Sequence, residues 1–135
     1  MSLPGFNIVT RRFLALSLLL LLVSGCTSIA SHSPQQLVGT TQTGKASYYA
    51  MKYQLRTTAS GETFNQWAAT AAHRHLPFGT KVRVTNLNTQ QSTVVKINDR
   101  GPYIDGVIID LSRSAFDDIG DLDAGIIPVS IQVIN

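Results

Sequence analysis

Cysteine is nearly missing from this chain, with Cys26 alone among 135 residues. No disulfide can form within the chain, so the fold has to stand on its apolar core. Glutamate is equally scarce, Glu62 being the only one, and Trp67 is the single tryptophan. A membrane-spanning run is missing too. The main apolar stretch, "FLALSLLLLLV" at 13–23, falls short of the about 20 residues a spanning helix needs. Eleven Lys and Arg exceed eight Asp and Glu, but Arg11 and Arg12 sit just before that stretch. Without them nine bases face eight acids, and the charge balance does not argue for nucleic acid.

Two arginines followed by a short apolar run have the flanks and length of a secretory signal, residues 1–25. "VSGC" then places small residues before Cys26, as in a lipobox whose cysteine is acylated and becomes the new N-terminus. More than one acyl chain on that residue gives stable anchoring, where a single chain is marginal. Thr27 in place of an acid after the cysteine points to the periplasmic face of a bacterial outer membrane. Residues 26–43, rich in Ser, Thr and Gln, read as a flexible tether to a domain at 44–135.

That domain reads as mainly β. "TKVRVTNL" alternates with Val82 and Val84 on one face, and "STVVKIN" follows a hairpin-like gap with Val95 and Ile97 in phase. "GVIIDLS" sets Val107, Ile109 and Leu111 against Ile108, Asp110 and Ser112, and "PVSIQVIN" sets Val129, Ile131 and Val133 inward. "KASYYA" adds a further strand, while "TAAH" fits strand or helix. Ser112 is placed to N-cap a short helix that Gly120 stops. Five or six short strands with one or two short helices suggest a small closed barrel, which also removes sheet edges.

Several polar residues interrupt this pattern. Glu62 lies on a polar loop, where a solvated acid is the plain reading. Tyr48, Tyr49 and Phe64 nearby in sequence offer a wall that would hold a proton on it. Raising a Glu from about 4.3 to about 6 costs roughly 2.3 kcal/mol, which burial can supply. Asp99 in "NDRGP" either caps the turn at Gly101-Pro102 or acts on a substrate. Arg100 reads as a partner for Asp99 or Asp110, or as a clamp on an anionic substrate. Asp110 faces away from the apolar side of its strand, and Asp105 is a turn residue before Gly106. His73 and His75 share one side of a strand, but zinc would need a third partner. No metal is expected, and His73 reads as a hydrogen-bonding or substrate-orienting group.

The blocks "ASYY", "TASGETF", "TAAH", "LPFGT", "VTNL", "NDRGP" and "DLSRSA", in that order over 44–135, resemble the rare lipoprotein A (RlpA) family. The resemblance implies a six-stranded double-psi β-barrel and an endolytic lytic transglycosylase. Such an enzyme cuts peptidoglycan between N-acetylmuramic acid and N-acetylglucosamine, in some members on strands stripped of stem peptides. One acid protonates the leaving oxygen and then, as base, takes the proton of the muramic C6 hydroxyl, leaving a 1,6-anhydro ring. No cofactor is needed and a lone Glu suffices. The resemblance implies Glu62 and Asp99 as catalytic residues, with Tyr48, Asn65, His73, Arg100 and Asp110 on the substrate. Asp99 would support the oxocarbenium-like transition state. Asn65 stands where relatives usually carry Asp, Ala50 replaces a usual glycine, and Gln54-Leu55 replaces His-Gly. The alternative is a non-catalytic, expansin-like peptidoglycan-binding lipoprotein. A monomer on glycan strands, tied to the membrane at Cys26, is the expected assembly.

Overall fold

The computed structural model describes residues 33–135. The signal at 1–25 and Cys26 lie outside the described residues. A short helix α1 (Pro34–Leu37) precedes strands β1 (Thr41–Tyr48), β2 (Thr70–His73), β3 (Lys81–Asn86), β4 (Ser92–Asp99) and β5 (Val107–Leu111). Helix α2 (Arg113–Asp117) and strand β6 (Ile127–Val133) complete the order.

The strands close into a barrel in the order β1-β5-β2-β4-β3-β6. β1 runs parallel to β5 and β2 parallel to β4, while β2 pairs antiparallel with β5. Two interlocked parallel pairs inside one closed sheet make the double-psi arrangement. The alternation seen in the sequence becomes the core: Val82, Val84, Val95, Ile97, Ile109, Leu111, Val129 and Ile131 are buried in one cluster. "TAAH" is strand, and all four of its residues are buried, which is why no alternation marks it.

β1 begins at Thr41, three residues ahead of the boundary expected at Gly44, and α1 adds order further upstream. Thr41–Ala46 pair with β6 through backbone hydrogen bonds, while Thr41, Gln42 and Thr43 are exposed and bury no apolar side chain. A strand start held by backbone and polar contacts leaves no apolar period to read. Inside β1, Gly44 is required by close approach, since a Cβ there would lie 2.6 Å from Ile108 Cγ2.

Helix α2 forms where expected. Ser112 Oγ accepts from the Ala115 amide, a cap typically worth about 1 kcal/mol. Ala115, Phe116 and Ile119 are buried in the barrel's core cluster. Truncating Phe116, which is fully buried, to Ala is expected to cost about 3–5 kcal/mol.

Candidate active site

Four adjacent strands carry the site on one rung. Ser47 of β1 pairs with Asp110 of β5, Asp110 with Ala72 of β2, and Ala72 with Asp99 of β4. Partners on one rung share a face, so both acids face away from the core side that holds Ala71, Ile97 and Leu111. Strict alternation from Val95 and Ile97 would turn Asp99 inward. A register shift between Ala71 and Ala72 sets Ile97 and Asp99 against those two consecutive residues, and this bulge re-aims Asp99. With strands about 4.8 Å apart, the two acid backbones stand about 10 Å apart across the small Ala72.

The acids differ in surroundings. Asp99 Oδ2 accepts from the Tyr49 hydroxyl at 2.7 Å, and Oδ1 accepts from the amides of Ala59 and Arg100 at 2.9 Å each. Three converging donors suit a carboxylate anion. Burial, and then the bond to Asp99, push the Tyr49 phenol up, so that it stays a donor. Asp110 Oδ1 accepts a single side-chain bond, from Ser47 Oγ at 2.9 Å. Burial pushes its carboxyl up to about 6; the Ser47 bond opposes this and the Asp99 charge adds to it. Asp110 is therefore the carboxyl of the pair that holds a proton up to about pH 6.

Glu62 has the opposite setting. Its exposed carboxylate takes Lys96 Nζ at 2.8 Å and Asn98 Nδ2 at 3.0 Å, and these two bonds hold it below the usual carboxylate range. The aromatic wall expected for it belongs to a pocket of about 220 Å³ beside Asp99, lined by Tyr49, Tyr53 and Phe64 with Arg56 at its edge.

The other expected substrate contacts are drawn elsewhere. The Tyr48 hydroxyl donates to Leu122 O at 3.1 Å and its ring packs on Phe116, so its neighbour Tyr49 is the tyrosine at the acids. Asn65 Oδ1 accepts from the Trp67 amide at 3.0 Å, a local turn bond. His73 pairs with Ile109 and so points to the opposite face from Ala72. Its Nδ1 accepts from the amides of His75 and Leu76, and Nε2–H donates to Gln42 Oε1 at 3.1 Å. Burial, and then electrostatic repulsion from His75, Arg100 and Arg74, push it down to about 4, leaving a neutral structural imidazole. Arg100 meets Asp99 through its backbone amide alone; its guanidinium reaches neither acid, Nη1 donating to the carbonyls of His73 and Leu76 and the group lying 3.9 Å over the Phe78 ring. It clamps the loop after β2. Among the described residues no His, Cys, Asp or Glu cluster has the makings of a metal site.

Ser47, Tyr53 and Arg56 were not singled out from the sequence, and Tyr49 was offered only as part of a wall for Glu62. Ser47 meets Asp110 across 63 positions through a parallel pair, which no local pattern announces.

The strands and the rung define a small closed double-psi barrel that carries two unlike acids on its outer face. Residues 41–131 match the double-psi barrel family described as lytic transglycolase, and the chain belongs to that family. It is 48% identical over 96 residues to the endolytic peptidoglycan transglycosylase RlpA of Vibrio cholerae, covering 71% of this chain and 36% of that protein. The protein of the same name from Campylobacter jejuni is 45% identical over 97 residues, covering 72% and 35%. The chain thus spans about a third of the length of these relatives. Among solved structures, the Streptomyces papain inhibitor superposes with a TM-score of 0.60 at 23% identity, over 73% of this chain and 97% of that one. An apo expansin from Clavibacter michiganensis gives 0.58 at 25% identity, over 71% and 51%. These two likenesses speak for the fold.

Proposed function

We propose that this domain is an endolytic peptidoglycan transglycosylase with Asp110 as its acid/base. The observation that carries the reading is the unequal pair on one rung: Asp110, with a single side-chain hydrogen bond and pushed up to about 6 by burial, beside the multiply bonded Asp99. Asp110 gives that proton to the glycosidic oxygen as the C1–O bond breaks. The Asp99 charge supports the oxocarbenium-like centre in a partly buried site. The Asp110 carboxylate then takes the proton from the C6 hydroxyl as its oxygen closes on C1, which yields the 1,6-anhydro ring and restores the acid. Water is not consumed, so no second carboxylate has to activate it. Glu62 in this reading holds its loop to β4 through Lys96 and Asn98.

The substrate is the glycan strand of peptidoglycan, including strands stripped of stem peptides. The protein acts as a monomer, tied by acylated Cys26 to the periplasmic face of the outer membrane. Purified chain incubated with sacculi and stripped strands should release 1,6-anhydromuramic ends, read by mass spectrometry, and Asp110→Asn should abolish them. Retained glycan binding with no anhydro ends would move the reading to an expansin-like binding module. The fold shared with expansin and the turn bond that occupies Asn65 favour that second reading.

A further inference from the structure

The two ends of the barrel differ in chemistry. The pairing directions put the starts of β1, β3 and β5 at one end, together with the finishes of β2, β4 and β6. Three stretches close that end, 33–40, 74–80 and 100–106. They adjoin one another: the Arg100 guanidinium lies 3.9 Å over the Phe78 ring, and Leu76 lines one cavity with Thr40. Large apolar side chains stand in solvent there. Tyr103 is 78% and Ile104 59% exposed, with Val38 and Phe78 exposed beside them. None of the four belongs to the core cluster, so the closed fold does not account for them.

Cations frame this apolar tip. Lys81 opens β3, and the Lys45 stem lies along the loop, its Cδ 4.0 Å from where a Cβ of Gly106 would stand. Neither lysine has an ion-pair partner among the described residues. Arg74 and Arg100 add two charges, and Asp105 is the one acid on the three stretches. The opposite end is acidic. There the stretch 112–126 carries Asp117, Asp118, Asp121 and Asp123, held at the finish of β3 by the bond from Asn86 Nδ2 to Ile119 O. The domain is thus polarised along its length, with the exposed apolar side chains at the positive end. The chain toward Cys26 leaves from that same end, where the Gly39 amide bonds Val133 O. Ser33 follows Cys26 by seven residues, a reach of at most about 25 Å. An acylated Cys26 would hold the domain within that distance of a bilayer, this end first.

We propose that the end formed by Val38, Phe78, Tyr103 and Ile104, with Lys45 and Lys81 around it, docks on an anionic lipid bilayer. Tyr103 sits at headgroup level, where amphipathic rings are favoured, Ile104 enters the acyl boundary, and each lysine adds about fivefold to partitioning. The inference goes beyond the glycan-cleaving reading and does not depend on it. The acids lie on the flank formed by β1, β5, β2 and β4, so a bilayer against the end leaves them open to a strand running along the membrane surface.

The test uses residues 33–135, which contain the closed barrel and its whole core cluster, so acylation plays no part. Cosedimentation with vesicles of phosphatidylglycerol in phosphatidylcholine should exceed that with phosphatidylcholine alone by about tenfold or more. The excess should vanish in about 0.5 M salt. Ile104→Ser should cut partitioning by about fivefold or more, and Lys45→Gln combined with Lys81→Gln by about twentyfold. Both sets of changes lie at exposed positions and should leave the circular dichroism unchanged. Nitroxide-labelled lipid should broaden the NMR signals of Val38, Phe78, Tyr103 and Ile104 first. Equal binding to both vesicles, broadening centred on Trp67 or on the aspartates at 117–123, or variants that bind like the parent would each overturn the docking. No vesicle binding at all would overturn it in favour of a protein partner for this end. Ile104→Ser should release anhydro ends from lipid-free sacculi as the parent does. If it loses them together with vesicle binding, Ile104 belongs to the glycan site and the docking is overturned. A parent that binds vesicles but releases no anhydro ends keeps the docking and overturns the enzyme.

Discussion

Replacing Asp110 with Asn should kill catalysis and stabilise the domain, and the gain should depend on pH. Unfolded, Asp110 releases its proton near 3.8; folded, it keeps it until about 6. Below 3.8 the carboxyl is protonated in both states and costs nothing. Between those values the unfolded chain ionises and the folded one does not, so folding loses ground as pH rises. Above 6 the full penalty of about 3 kcal/mol applies, at 1.36 kcal/mol per unit of pKa difference. The carboxyl is not wholly out of water, so the usable figure is nearer ~2 kcal/mol. Asn has nearly the same shape, its Oδ1 still accepts the Ser47 hydroxyl, and it carries no charge. Urea unfolding of Asp110→Asn at pH 7.5 should therefore move the midpoint up by about 1 M, for slopes of about 1–3 kcal/mol per M. At pH 4 the two proteins should unfold within ~0.3 M of each other. A gain equal at both pH values, or none at pH 7.5, would refute the claim that Asp110 is a carboxyl held protonated at ionisation's expense.

Asp99→Asn should retain the Ala59 and Arg100 amide bonds through Oδ1 while removing the charge that helps keep the proton on Asp110. At about 10 Å and an effective dielectric of about 20 that charge is worth roughly 1.7 kcal/mol, so the alkaline midpoint of kcat/KM should fall by about one pH unit; an unmoved midpoint would sever the two acids. Glu62→Gln keeps an acceptor for Asn98 and loses the exposed Lys96 pair. Its anhydro-end production should stay within about fivefold of the parent, because such pairs contribute little; a thousandfold loss would return the acid role to Glu62. Gly44→Ala sets a Cβ 2.6 Å from Ile108 Cγ2 and 3.0 Å from Cγ1, both on a stiff β-branched side chain. It should cost about 1–3 kcal/mol in chemical unfolding and be partly rescued by Ile108→Ala.

Most of the barrel was legible because β3 and β6 bury every second residue and the strong turn residues fall between strands. The start of β1 was not, since its first residues contribute backbone bonds and no buried side chain. At the site the acids themselves were legible, because a carboxylate inside an apolar strand demands a reason. Their roles were not. Glu62 meets Lys96 and Asn98 from a strand 34 and 36 positions away, and those partners reverse the electrostatics its own aromatic neighbours suggest. Asp99 faces outward only because of a bulge that alternation cannot show, and one residue's difference decides that Tyr49 and not Tyr48 reaches it. His73 looked exposed to chemistry by type, yet its strand parity turns it away from the acids.

The placement of the acids is bound to the core beneath them. Asp110 lies between Ile109 and Leu111, both fully buried, so a slip of one residue would drive the carboxyl into the barrel and two aliphatic side chains out of it. The parallel β1–β5 and β2–β4 pairs put Ser47, Asp110 and Asp99 around one small residue, Ala72, although they are far apart in the chain. No local turn could bring them together; the closed topology does. Such an arrangement lets a domain of this size hold a carboxyl at a pKa it would not choose in water. The aliphatic core fixes the rung, and the same rung raises the proton affinity of Asp110 at a cost in stability. Sites of this kind trade folding free energy for a poised group. The trade is visible here in one carboxyl flanked by two fully buried aliphatic residues.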